Sequence, residues 1–244
     1  MLSARLQAAR GRYDAMNGIS YKNITVVFED EYLLAASKPA DLLVHGDGTG
    51  APTLTDLVAE HLAAEGRGDV RPQAAQRLDV ETTGLVLFSL DSATQPALDA
   101  EVAGRDMRKE YLAVVAGRFP WAQKAIDAPI GRHPVERKKM AINYKNGKEA
   151  VTHYRVLERF RNYTYIECQL ETGRTHQIRV HLSSLHHPLL GDEVYGPKEN
   201  PFHLEGQTLH AMVLGFDHPS TGEYIEFSAP LPEYFEKLLK KLPK

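Results

Sequence analysis

The sequence predicts an α+β fold, and two observations carry that expectation. Runs rich in β-branched and aromatic residues come in pairs joined by short turns, as in hairpins. Segments of helical period stand between some of these pairs rather than after every strand, which disfavours a doubly wound parallel sheet. No low-complexity tract or solenoid repeat competes with this reading.

In chain order, Ile24 to Phe28 and Tyr32 to Ser37 read as a hairpin around a Glu-Asp-Glu turn, closed by Lys38-Pro39. Residues 46–52 are a Gly-rich loop. Leu54, Leu57, Val58, His61 and Leu62 recur at helical spacing, and Gly66 lies just beyond the expected end. Gly84 to Leu90 has the length and apolar content of a strand, and Asp91 or Ser92 suits the cap of a helix reaching Val102. Lys109 to Ala116 is a Val- and Tyr-rich strand. Val151 to Leu157 and Tyr163 to Leu170 are strands around Arg161-Asn162, and Thr172-Gly173 ends the second. Thr175 to Leu185 fits a helix with Ile178, Leu182 and Leu185 on one stripe. Gln207 to Phe216 and Tyr224 to Phe227 are strands about a Pro-Ser-Thr-Gly turn. Leu231 to Leu242 closes as a helix with Pro232 near its first turn, where proline is tolerated.

The chain has 244 residues, enough to bury a core without covalent staples. Its sole cysteine, Cys168, can form no intrachain disulfide, which suits a reducing cytoplasm, and inside Tyr-Ile-Glu-Cys-Gln-Leu it reads as a small core residue on a strand. No stretch of 18 apolar residues suggests a membrane span. Residues 1–23 carry Arg5, Arg10, Arg12 and Lys22 and lack a secretory apolar stretch, so they read as a basic N-terminal extension. Residues 24–244 read as one domain of two lobes. Alanine is common before about residue 130 and Lys, His and Tyr after it, which sets the expected divide there. The formal net charge is −3, yet residues 131–180 hold eleven Lys/Arg against five Asp/Glu. A local excess of this kind binds polyanions that the whole-chain charge would repel.

Two constellations stand out. Residues 76–84, Gln-Arg-Leu-Asp-Val-Glu-Thr-Thr-Gly, place Asp79 two residues after Arg77 at the junction of a turn and an apolar run. A carboxylate beside a guanidinium is held ionised, which suits a nucleophile or base and not a general acid. A surface ion pair or Asx-turn would use the same residues. Residues 171–181 read Glu-Thr-Gly-Arg-Thr-His-Gln-Ile-Arg-Val-His. His176 and His181 are five apart and would point about 140° apart on a helix, which disfavours a metal pair. Gly173-Arg174 at a helix start would bind an anion. Arg179, next to the apolar stripe, would need a carboxylate partner if buried, and Asp79 is a candidate.

Taken together and in order, Gln-Arg-Leu-Asp-x-x-Thr-Thr-Gly, Lys109-Glu-Tyr-Leu-Ala-Val-Val, Gly173-Arg-Thr-His-Gln-Ile-Arg-Val-His and Gly191-Asp-x-x-Tyr-Gly resemble the RluA branch of the RNA pseudouridine synthases. Lys38-Pro39, Leu43-Val-His and Arg137-Lys-Lys-Met followed by Gly147-Lys-Glu-Ala also match its pattern, so the resemblance spans about residues 24 to 230. It implies one extended mixed, mostly antiparallel sheet flanked by helices. It puts Asp79 at the essential aspartate, Tyr111 at the tyrosine that stacks on the target base, and Arg179 at the basic residue that pairs with the aspartate. Ile178 would wall the uracil pocket, and Arg77 falls on an arginine that in some members replaces the flipped nucleotide. Lys38, Arg137, Lys138, Lys139, Arg174 and His176 are further candidate substrate contacts. Three positions depart from the pattern: Gln76 stands for a usual His, Thr83 for Ser, and Asp41 for a common Gly. Residues 1–23 are too short for the S4 domain many relatives carry.

The reaction so implied needs neither cofactor nor metal. The expected molecule is a cytoplasmic monomer whose partner is structured RNA, rRNA or tRNA. Two other readings stay open: an inactive RNA-binding module of the same fold, and a glycosidic-bond hydrolase, which would want a second carboxylate of raised pKa.

Overall fold

The structure is a computed structural model that describes residues 12–14, 18–136, 139–204 and 206–244. It divides into two compact units. One comprises the described residues up to Arg108 with Ala211–Pro230, the other Lys109–His210 with Leu231–Lys244.

The first unit is a sheet with helices on both faces. Its strands are β1 (Arg12–Asp14), β2 (Ile19–Tyr21), β3 (Ile24–Glu29), β4 (Leu33–Lys38), β5 (Gln73–Ala74) and β6 (Thr83–Ser89). Its helices are α1 (Leu54–Ala64) and α2 (Thr94–Gly104). The order β2-β3-β4-β6 is antiparallel throughout, and β5 adds to the far end of β6. Thr53 begins α1 with a capping box: its hydroxyl accepts from Asp56 N while the Asp56 carboxylate accepts from Thr53 N. Asp91 accepts from the backbone N–H groups of Ala93 and Thr94 and so caps α2, as its place in the sequence suggests.

Every residue of β6 is buried. Val86 and Phe88 join the cluster under α1, and Leu85 and Leu87 join the cluster with Leu98 of α2. Both faces of this strand are therefore covered, which is why it reads as a continuous apolar run rather than an alternating one.

The second unit begins with β7 (Arg108–Ala116), followed by β8 (Gln123–Asp127), β9 (Ile130–Arg132), β10 (Met140–Ile142), β11 (Val151–Arg159), β12 (Tyr163–Leu170) and α3 (Gln177–Ser184). Its sheet order is β7-β12-β11-β8, all antiparallel, and β9 and β10 form a separate two-stranded pair. On β12, Thr164, Ile166, Cys168 and Leu170 point inward and the residues between them outward. Cys168 is fully buried, as its setting predicts, and burial pushes its thiol pKa far up. The chain then passes along β13 (Leu209–Asp217) into the first unit, where it lies beside β6 and pairs with β14 (Tyr224–Ser228). β1 runs parallel to β14. The closing helix α4 (Glu233–Lys241) follows Pro232 and packs Phe235 and Leu238 against Val114, Phe160 and Leu190.

Several elements differ from the sequence reading. Strands β1, β2, β5, β8, β9 and β10 lie where no element is expected, β1 and β2 within the stretch read as a basic extension. Four of the five β8 residues are exposed, so this edge strand carries no alternation to read. Helix α3 starts at Gln177, not at Arg174 or Thr175, for a reason that belongs to the site.

Candidate active site

On the first unit, Asp79 sits in the turn that feeds β6. Its carbonyl accepts from Thr82 N at 3.0 Å, and Val80 O accepts from Leu42 N at 3.4 Å. Behind that turn stands Lys38, 1% exposed, whose ammonium donates to the carbonyls of Pro39 (2.8 Å), Leu42 (2.8 Å) and Val80 (2.6 Å). In this fold the three donors of Lys38, expected as a substrate contact, are spent on backbone oxygens. It ties the loop after β4 to the residue that follows Asp79. Burial lowers its pKa to about 8 against the opposing pull of Asp79, Asp41 and Glu81. Asp41 has φ of 56°, a left-handed conformation that aspartate tolerates better than most residues. The common glycine of the pattern at this position has that backbone explanation. Gly84 holds φ of +107°, and a Cβ there would lie 2.2 Å from Ala211 O, so only glycine fits where the turn enters the strand. Arg77 is exposed, and its charge helps to lower the pKa of His45, after burial of that ring.

On the second unit, Tyr111 is buried on β7 opposite Cys168 of β12, and Ile178 is buried on α3. Arg179, 7% exposed, has a carboxylate partner that sequence reasoning missed. Its Nε donates to Asp192 Oδ2 at 2.8 Å and its Nη2 to Asp192 Oδ1 at 2.9 Å. The Asp192 carboxyl is held below the usual carboxylate range. Burial pushes it up, and the Arg179 guanidinium with the N–H groups of Tyr195 and Val194 outweighs that. The signal was legible in part: a buried Arg needs a partner, and Gly191-Asp-x-x-Tyr-Gly is a recognisable motif, but nothing in the spacing joins the two.

The start of α3 explains the fate of the anion-site reading. Gln177 folds back so that its Oε1 accepts from Thr172 Oγ1 (2.7 Å) and from Arg174 N (3.0 Å), while its Nε2 donates to Val151 O and Thr152 Oγ1. Residues 173–176 thus form a turn ahead of the helix. The Arg174 N–H is bonded within the chain, and Arg174 Nε donates to Glu149 O. A helix N-terminus presenting itself at Gly173-Arg174 is not what the structure builds. His176, at the N-cap with φ of 55°, lies 2.8 Å from Tyr195 Oη through its Nδ1. His181, fully buried, bonds Thr152 Oγ1 and Ala128 O, and burial lowers its pKa. Lys139 pairs with Glu136 at the surface. Arg137 and Lys138 lie outside the described residues.

Among the described residues, Glu29, His61 and Glu65 offer ligand atoms within 4.8 Å of one another. Glu29 is already engaged by His61 and by Arg67, and its hydrogen bond raises the His61 pKa. A metal wants a neutral imidazole, whereas this group favours the protonated one, so it reads as an ion-pair cluster.

The fold is that of known pseudouridylate synthases. The human protein titled RNA Pseudouridylate Synthase Domain Containing 1 superposes with a TM-score of 0.73 at 24% identity, over 93% of this chain and 98% of that one. The human Domain Containing 4 protein gives 0.74 at 24% identity, over 90% of this chain and 94% of that one. The family follows from sequence. The model described as RNA pseudouridylate synthase matches residues 32–184. The uncharacterized RNA pseudouridine synthase YlyB of Bacillus subtilis (strain 168) is 42% identical over 226 residues, 91% of this chain and 74% of the relative. Ribosomal large subunit pseudouridine synthase D of Zymomonas mobilis is 42% identical over 231 residues, 90% of this chain and 73% of the relative. The chain belongs to the RNA pseudouridylate synthase family of enzymes. No helix of the described residues is long and apolar enough to cross a membrane.

Proposed function

We propose that the chain isomerises uridine in structured RNA of the cytoplasm, with Asp79 as the carboxylate that acts at the ribose, Tyr111 as the ring that stacks on the extruded base and Arg179 as the cation of the same reaction. Ribosomal RNA is favoured over transfer RNA, because several relatives at 39–43% identity bear a large-ribosomal-subunit name. The observation that carries the reading is the turn of Asp79: an acidic side chain in a backbone pinned by the Lys38 ammonium, in a chain of this family.

The chemistry balances without redox. The C1′–N1 bond breaks, the base turns over, a C1′–C5 bond forms, the C5 hydrogen leaves as a proton and N1 gains one. A carboxylate suits either attack at C1′ or removal of the 2′ hydrogen. Extrusion of uracil costs about a few kcal/mol. Stacking on Tyr111 returns about 1–3 kcal/mol. The basic segment 131–180 adds attraction to the phosphate backbone that weakens with salt.

The test is release of tritium from C5-labelled uridine in ribosomal and transfer RNA transcripts. Wild-type protein should release label, and Asp79→Asn should not while still binding RNA. Turnover by Asp79→Asn would remove Asp79 from its role. Binding without release by the wild type would favour an inactive RNA-binding module, and free uracil as product would favour a hydrolase.

A further inference from the structure

The segment Gly191-Asp-x-x-Tyr-Gly is built around Arg179. The Asp192 carboxylate takes four N–H donors. Oδ2 accepts from Arg179 Nε, and Oδ1 accepts from Arg179 Nη2 and the backbone N–H groups of Val194 (2.9 Å) and Tyr195 (3.0 Å). Two of the four donors come from its own loop, so its position does not depend on the arginine alone. The two glycines make that loop feasible. A Cβ on Gly191, at φ of +78°, would sit 2.2 Å from Gly206 O, and one on Gly196 would sit 2.5 Å from Asp192 O.

Tyr195 completes the mount. Its ring faces the Arg179 guanidinium, with Cζ 5.1 Å from the ring centroid, in cation–π contact. Its hydroxyl lies 2.8 Å from His176 Nδ1 and accepts from Met140 N at 2.8 Å, and its carbonyl accepts from Ser183 Oγ at 3.2 Å. The loop is thus stapled to both ends of α3 while the ring and the carboxylate meet the guanidinium in between.

A guanidinium is planar. With its Nε–Nη2 edge taken by a carboxylate fork, the Nη1 side is turned away from Asp192, and rotation about the last side-chain bonds is arrested. A lone buried arginine would need only a counter-charge. This one has a counter-charge whose direction is fixed by two backbone N–H groups, and a ring that adds a second constraint.

We propose that Asp192 and Tyr195 are positioning residues, which hold the Arg179 guanidinium in a single orientation that the isomerisation uses. The proposal rests on the reading that Arg179 serves that reaction. Misplacing a reacting group by about 1 Å costs on the order of 100-fold in rate. Asp192→Asn keeps one oxygen for the loop N–H groups but breaks the charged fork. It should lower kcat on RNA by on the order of 100-fold, with KM changed by less than about 3-fold.

A purely structural role would also lower activity, and a double-mutant cycle separates the two. In an Arg179→Lys background, where no fork can form, Asp192→Asn should cost less than about 3-fold. The same large factor in both backgrounds, or wild-type kcat for Asp192→Asn, would overturn the proposal. Should Asp192→Asn fail to fold by its melting curve, Tyr195 carries the test. Tyr195→Leu, which removes the ring, should lose more kcat than Tyr195→Phe, which keeps it, and equal losses would overturn it. If Arg179→Lys alone matches the wild type, the underlying role of Arg179 fails instead, and if the wild type releases no tritium, the enzymatic reading fails.

Discussion

Lys38→Met isolates the cost of keeping a charge inside this protein. The ammonium of Lys38 has a pKa of about 8 in the fold against 10.5 when unperturbed. That gap corresponds to about 3 kcal/mol, since each pH unit is worth about 1.4 kcal/mol. Below pH 8 the lysine is charged in both the folded and unfolded chain, and the penalty is present in full. Between pH 8 and 10.5 the unfolded chain still binds the proton while the folded chain has released it, so the contribution of this group to stability rises with pH over that window. Methionine has nearly the same shape and no proton to lose. The absolute effect at pH 7 mixes relief of that penalty with the loss of the Lys38 donor at three carbonyls, so its sign is not the informative quantity. The pH dependence of the difference is. Urea unfolding followed by far-ultraviolet circular dichroism, for both proteins from pH 7 to 10.5, should show wild type gaining about 3 kcal/mol on Lys38→Met, nearly all of it above pH 8. Other groups of high pKa, such as Tyr165 at about 12, are common to both proteins and cancel. A difference that stays flat, or that falls with pH, would refute the argument. Turnover should move the other way: a neutral amine has two donors for three carbonyls, so the hold on Val80 slackens, and wild-type kcat should decline as pH rises through about 8.

Three further outcomes follow from the geometry. Gly84→Ala should destabilise by more than about 2 kcal/mol, because its Cβ would meet the backbone of Ala211 and its φ of +107° excludes relief, and thermal unfolding reads this directly. Burial holds the His181 pKa below 6.5, so its contribution is complete above that value and is lost as pH falls through the folded pKa; wild type should lose stability relative to His181→Gln between pH 7 and 5, measured by urea midpoints. Tyr111→Phe should reduce tritium release far less than Tyr111→Ala if the ring's stacking is its contribution, whereas equal losses would point to the hydroxyl.

Much of the fold was readable because its signals are local. The hairpin of β3 and β4, the cap of α2 at Asp91, the buried run of β6 and the strand run of β12 each lie within a few residues, where periodicity and cap chemistry act. Strands β8 to β10 were not readable for the same reason. They are short, and their side chains face solvent or a small satellite core around Ile130, Ala150 and Val180. The start of α3 was misplaced because Gly173 and Arg174 imitate a helix entrance, whereas the decisive contact is made by the side chain of Gln177, which satisfies Thr172 and the Arg174 N–H from inside the first turn.

The site shows the same division more sharply. The residue types at the proposed positions 79, 111 and 179 are visible as motifs in the sequence. What holds two of them is not visible, because it is made by groups distant in sequence or by the backbone itself. Lys38 reads in the sequence as a candidate substrate contact; only the fold reveals that its partners are three carbonyls, one of them 42 residues away. Asp192 reads as a turn residue, yet its carboxylate is the mount for an arginine 13 residues earlier. Each support consists of a buried charge, which carries a desolvation cost and would be a poor choice for stability alone. In both cases the charge fixes a direction: of the backbone after Asp79 in one unit, and of the Arg179 guanidinium in the other. An apolar replacement could fill either volume but could not reproduce that direction. The two lines of variants, at Lys38 and at Asp192, should therefore lose turnover out of proportion to any loss of stability.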